Sequence, residues 1–185
     1  MKICIDPGHG GKDSGAVGPS GLTEAETVLV ISRQLSAILL DYIGLFVRMT
    51  RTVNVFIPLA DRCEIANSWK ANYFVSVHLN SYDNPQTVGI ETLYKSEKGK
   101  ALAEPVQVSL VKATGDTDRG LKYRTDLYVL NGTAMPAILT ESGFISNPET
   151  EEKLKTPEYR IVLAEALASG FVEYLGLKKR RPLAY

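Results

Sequence analysis

"KICIDPGHGGKDSGAVGPSGLTEAETVLVI", residues 2–31, begins as a short apolar strand, crosses a glycine-rich loop and ends in an amphipathic helix. The strand covers residues 2–6 and is stopped by Pro7, which lacks an N–H donor, and by Gly8, which lacks a Cβ. Residues 8–22 then hold six glycines and Pro19, a loop of a length that is often functional in compact domains. Thr23 and Glu26 have the S/T-x-x-E spacing of a capping box. Behind them Val28, Ile31, Leu35, Leu39 and Tyr42 recur at helical spacing, with Gly44 expected to end the helix.

The alternation continues outward from this unit. A second strand is expected over residues 45–49, followed by a helix over 58–71 with Leu59, Cys63 and Ala66 on one face. A third strand over 73–77 runs up to His78, and a fourth covers 88–94. Residues 97–113 read as a helix that Pro105 kinks or interrupts. Two further strands are expected at 127–130 and 137–141 around an Asn131–Gly132 turn. "NPETEEKL" opens a short helix, and residues 157–175 form the last long one, closed by Gly176. Strands alternating with helices give an α/β fold, a single domain with a mostly parallel twisted sheet flanked by helices on both faces. That domain spans 1–176, with 177–185 a basic tail or the start of a linker.

Composition narrows the partners. The 185 residues suit one hydrophobic core. Twenty-one basic and 21 acidic residues leave no net charge, which argues against a nucleic-acid-binding domain. No apolar run reaches the ~18 residues of a membrane span, and the N-terminus lacks the pattern of a signal peptide. Cys4 and Cys63 have no CxxC spacing and read as buried free thiols.

The glycine loop fits neither phosphate motif. Counting G-x-G-x-x-G from Gly8 puts Asp13 at the last position, and Gly11-Lys12 is followed by Asp13 instead of Ser or Thr. What remains is a flexible backbone that carries Asp6 and His9 out of a strand end. In an open parallel sheet, ligands gather beyond the carboxyl ends of the strands. His9 follows the first strand, His78 closes the third and Glu141 closes the last, so both histidines of the chain take that position. Glu24 shares the helix face of Val28 and Ile31 and so points at the sheet, although the same place suits an acid that only favours the helix dipole. Two histidines and one glutamate match a catalytic zinc site, three protein ligands plus an open position. Glu141, from a different strand, is then available to move a proton.

Three blocks carry a family likeness: "IDPGHGGKDSGAVGPSGLTE", "FVSVHLNS" and "PAILTESGFISNPETEEKL". They resemble the signature blocks of zinc-dependent N-acetylmuramoyl-L-alanine amidases of the type-3 amidase family, in the same order. "LADRCEIAN" and "TDRGLKYRTDLYVL" resemble the intervening segments, so the likeness covers residues 2–175. It implies hydrolysis of the amide between N-acetylmuramic acid and L-alanine in peptidoglycan, with one Zn2+ on His9, Glu24 and His78 and Glu141 as the catalytic carboxylate. Leu79, Ser81 and Ser142 depart from the usual residues, but none removes a ligand. No long helix that would block the site is evident, which implies an open one. Asn80 and Arg119 fall in the signature regions as candidate substrate contacts, with a loop hydrogen bond and a surface charge as their plainer readings. The resemblance suits a phage lysin made in the cytoplasm and acting on the wall, or an excised domain of a secreted autolysin. It leaves room for a cell-wall-binding domain beyond residue 185. The rival readings are a zinc carboxypeptidase or aminopeptidase and a non-catalytic zinc-stabilised wall-binding module. Glu141 weighs against the module, because a structural metal does not need it and hydrolysis does.

Overall fold

Ile3 and Ile5 point to one side of the first strand and Cys4 to the other, and all three are fully buried. A strand covered on both faces must lie inside a sheet with a layer on each side. The computed structural model describes residues 1–179 and has that arrangement; residues 180–185 of the expected basic tail lie outside the described residues. The elements run β1 (Lys2–Pro7), α1 (Glu24–Leu40), β2 (Phe46–Met49), α2 (Leu59–Ser68), β3 (Tyr73–Asn80), β4 (Ile90–Tyr94), α3 (Glu97–Thr114), β5 (Asp118–Tyr123), α4 (Tyr128–Gly132), β6 (Ala137–Phe144), α5 (Pro148–Lys155) and α6 (Pro157–Leu175).

The sheet order is β2-β1-β3-β6-β4-β5. The first four are mutually parallel, while β4 runs antiparallel to β6 and carries β5 parallel to itself. The fold is thus the expected α/β type with a mostly parallel sheet. One face packs Ile3, Ile5, Val75 and Ile138 against Leu35 of α1, Leu102 of α3 and Leu167 of α6. The other face sets Cys4, Phe74 and Leu139 against Cys63 of α2 and Val129 of α4. Gly170 lets α6 close on α3, since a Cβ there would lie 2.5 Å from the Val106 Cα. Both cysteines are free and buried, and burial raises the Cys4 thiol to about 12. Among the described residues no helix is long and apolar enough to cross a membrane.

Several local expectations are corrected. Residues 128–130 belong to the single-turn helix α4, not to a strand; a short apolar run has no periodicity to separate the two. The missing strand is β5, "DRGLKY", an edge strand whose mostly exposed pattern carries no apolar signal. Thr23 forms no reciprocal capping box, because its Oγ1 donates to Glu26 Oε2 at 3.3 Å instead. The glycine loop caps α1 in its place: the Glu24 and Ala25 N–H groups donate to Ala16 O at 2.9 Å and Ser14 O at 3.0 Å. α1 ends at Leu40 with Asp41 as its cap, before Gly44. Leu59, expected on the buried face of α2, is 53% exposed. Pro105 sits inside an unbroken α3.

Candidate metal centre

The end of the sheet puts one row of residues side by side. His78 pairs in register with Glu141, and Glu141 with Glu91. Residues opposite one another on paired strands project to the same face. β3 and β6 each run past this row, to Asn80 and Phe144, so His78 and Glu141 lie inside their strands and not at the last residue. Gly8 continues the row on the β1 side, with its N–H donating to Val77 O at 3.1 Å. It must be glycine, because a Cβ there would overlap the His78 ring.

Glu24 enters from the other layer. It is the first residue of α1 and only 3% exposed. Its Oε1 lies 2.8 Å from His78 Nδ1 and accepts the Leu79 N–H at 3.0 Å. Its Oε2 lies 3.2 Å from His9 Nε2 and accepts the Ala16 N–H at 2.9 Å. The two imidazoles meet edge to face with centroids 4.9 Å apart. One ligand atom from each of His9, Glu24 and His78 falls within 4.8 Å of the others. Each carboxylate oxygen of Glu24 therefore serves one histidine.

Asp13, singled out earlier only for breaking two phosphate motifs, completes the cluster. Its Oδ2 lies 2.9 Å from His9 Nδ1, and its Oδ1 accepts the Gly15 N–H at 3.0 Å. A carboxylate on the far ring nitrogen fixes the tautomer that leaves Nε2 facing the cluster. His9 itself adopts φ 58°, a left-handed conformation uncommon outside glycine.

The charges follow from this packing. Burial pushes His9 down, but the Glu24 and Asp13 carboxylates outweigh it and raise its pKa to about 9. His78 is likewise lowered by burial and raised overall by Glu24. Burial acts upward on Glu24, yet the two histidines hold it well below the usual carboxylate range. Glu141 goes the other way: burial, with Glu24 and Glu91 adding to it against His78 and His9, raises it to about 7. Its Oε2 is buried and has no hydrogen-bond partner among the described residues.

Asn80 and Arg119 both reach Glu91. Asn80 Nδ2 donates to Glu91 Oε1 at 3.1 Å, and Arg119 Nε to Glu91 Oε2 at 3.4 Å. Asn80 of β3 and Arg119 of β5 thus meet on one carboxylate of β4. Glu91 was missed by sequence reasoning, although its place in the row beside Glu141 gives it a site position. On the other side of the histidines a cleft of about 380 Å³ opens between Phe56, Leu59, Leu127 and Tyr128.

The support beneath the loop was also missed. Asp6 accepts from Thr50 Oγ1 at 2.6 Å, Ser76 Oγ at 2.7 Å and Arg62 Nη1 at 2.8 Å, so it faces inward under the loop. Glu151 of α5 accepts the Ser20 and Leu22 N–H groups at 3.0 and 3.2 Å, tying down the far end of the loop. Arg51, two residues past the end of β2, was missed as well.

The chain matches the family model described as N-acetylmuramoyl-L-alanine amidase (Amidase_3) over residues 3–173. It is 37% identical over 188 residues to the sporulation-specific N-acetylmuramoyl-L-alanine amidase of Bacillus subtilis (strain 168), covering 97% of this chain and 70% of that one. It is 40% identical over 187 residues to the endolysin of Bacillus phage SPP1, covering 96% and 67% respectively. Among solved structures, the catalytic domain of the amidase CwlV from Bacillus (Paenibacillus) polymyxa var. colistinus superposes with a TM-score of 0.92 at 38% identity, covering 96% of this chain and 99% of that one. The amidase AmiC2 of Nostoc punctiforme gives 0.90 at 40% identity, covering 95% and 97%.

Proposed function

The chain belongs to the N-acetylmuramoyl-L-alanine amidase family, and from that premise we propose that it cleaves the amide between N-acetylmuramic acid and L-alanine in peptidoglycan, with one zinc ion held by His9, Glu24 and His78 and with Glu141 moving the proton. The observation that carries this reading is the sharing of Glu24 by the only two histidines in the chain. Imidazole and carboxylate donors suit zinc, and three of them leave a coordination position free. The unpartnered Oε2 of Glu141 beside the cluster supports the fit.

A bound ion supplies Lewis acidity toward the amide carbonyl and toward water. The chain supplies the rest. Asp13 holds His9 in the ligating tautomer. Glu141 accepts the proton of the attacking water and returns it to the departing amine nitrogen, which cannot leave as an anion. Asn80 from the end of β3 and Arg119 from β5 contact the substrate, released from or bridging through Glu91.

Chelation is expected to abolish hydrolysis of purified peptidoglycan, and added zinc to restore it. Mass spectrometry of the digest should find intact glycan and free stem peptide beginning at L-alanine. Full activity in metal-free protein, or cuts between stem amino acids, would overturn the reading; the second result would favour a peptidase.

Metal uptake should also release protons. In the metal-free protein His9 and His78 are raised by Glu24, so both bind protons in folded protein above the unfolded value of 6.5. A cation must displace those protons. Affinity is therefore expected to tighten as pH rises from 6.5 to about 9, where His9 loses its proton unaided. Calorimetric titration in two buffers of different ionisation enthalpy measures the release.

A further inference from the structure

Three consecutive carbonyls, those of Pro7, Gly8 and His9, turn away from the sheet ladder into the protein. Buried carbonyls need donors, and here the donors are two guanidinium groups. Arg51 gives Nε to Pro7 O at 3.0 Å and Nη2 to Gly8 O at 2.6 Å. Arg62 gives Nη1 to Pro7 O at 2.7 Å and Nη2 to His9 O at 2.6 Å. The same Arg51 Nη2 also donates to Ala25 O at 2.7 Å, on the residue after Glu24. One nitrogen thus bridges the segment bearing His9 and the helix turn bearing Glu24.

We propose that Arg51, supported by Arg62, is a positioning residue that fixes His9 against Glu24 and so pre-forms the metal site. The proposal rests on the metal reading above and goes beyond the ligands themselves. Arg51 is 3% exposed and Arg62 2%, and of the two only Arg62 has a carboxylate, Asp6, at ion-pair distance among the described residues. Two cations buried side by side are a poor way to stabilise a core. Their placement is accounted for by what they hold. His9 stands at φ 58° with its Nε2 3.2 Å from Glu24 Oε2. Gly8 N–H on Val77 O fixes the segment to β3 next to His78, while Arg51 fixes it to α1. Asp6 extends the clamp to Ser76, two residues before His78. The rigid guanidinium fork makes four such bonds in fixed directions, including one to Val53 O at 3.3 Å. An ammonium is a point charge and cannot reproduce that geometry.

The test compares zinc affinity by chelator competition in the wild-type chain, in Arg51→Lys and in Leu110→Ala, a core change in α3 remote from the loop. Arg51→Lys is expected to bind zinc about 10–100-fold more weakly, the usual effect of losing an outer support of a metal ligand. Its cobalt-loaded form should show shifted visible bands, which report ligand geometry. Leu110→Ala should lower the Tm and leave both readouts unchanged. Amide exchange in metal-free wild type gives a second arm independent of any variant. Gly8 and Gly10 N–H, bonded to Val77 O and Asp13 O, should stay protected without metal if the site is pre-formed. Wild-type affinity in Arg51→Lys, or free exchange of those amides, overturns the clamp alone. Wild-type protein that takes up no zinc overturns the metal reading, and the clamp with it.

Discussion

Glu141→Gln is expected to keep the wild-type fold and metal content and to lose peptidoglycan hydrolysis by a factor of about 10²–10⁴, the usual contribution of a positioned general base. The amide nearly matches the carboxylate in shape and sits in the same register between His78 and Glu91. It cannot accept the proton of water. Because Glu141 belongs to a separate strand and its Oε2 makes no hydrogen bond among the described residues, its replacement breaks no ligand contact. Metal analysis and a turbidity assay on the same preparation check both halves. The pH profile adds a sign. Burial and neighbouring carboxylates hold Glu141 at about 7 without metal, and a nearby dication favours the ionised form. With zinc in excess, so that the site stays filled, the acid limb of the wild-type rate should therefore fall below pH 7, and it should be absent from whatever activity Glu141→Gln retains. Near-normal hydrolysis by Glu141→Gln would remove Glu141 from the mechanism.

Glu24→Ala should fail in the opposite way, losing metal and activity together. It removes one of three ligands and the common acceptor of both histidines. It also strands the buried N–H of Leu79, which costs about 1–3 kcal/mol when left unpaired, and takes the acceptor from the half-buried Ala16 N–H. The Tm should drop even in metal-free protein, as it should not in Glu141→Gln. Glu24→Gln separates the effects, since its amide oxygen still accepts one of those N–H groups. That variant should recover part of the Tm but not the metal. Zinc at wild-type stoichiometry in Glu24→Ala would mean that the two glutamates have exchanged roles.

How far the site could be read from sequence depended on what each residue does. His9, His78 and Glu141 were legible because an ionisable side chain at the end of an apolar strand is out of place unless used. Glu24 was legible because helical periodicity fixed the face it shares with Val28 and Ile31. Asp13, Arg51, Arg62 and Glu151 were not. Their partners are backbone groups of an irregular loop, and no periodicity says which of those groups lack a ladder partner. The same holds for β5 and α4. An edge strand with both faces half wet and a single apolar turn have no period to detect, so tertiary pairing decides them.

The reversal of β4 and β5 relative to the other strands has an evolutionary consequence. At the edge where β1, β3 and β6 finish, β4 and β5 begin, so the segments 81–89 and 115–117 arrive at the rim from the opposite direction. They deliver Glu91 and Arg119 there without taking part in the parallel strands that carry the proposed chemistry. Lengthening a surface loop is cheap, about 0.6 kcal/mol for each doubling. A lineage adapting to a different wall can therefore remodel these two entry segments by insertion, while the strands that hold His78 and Glu141 stay in register. Change at the rim and retention of the proposed hydrolytic residues can thereby fall on different stretches of one chain.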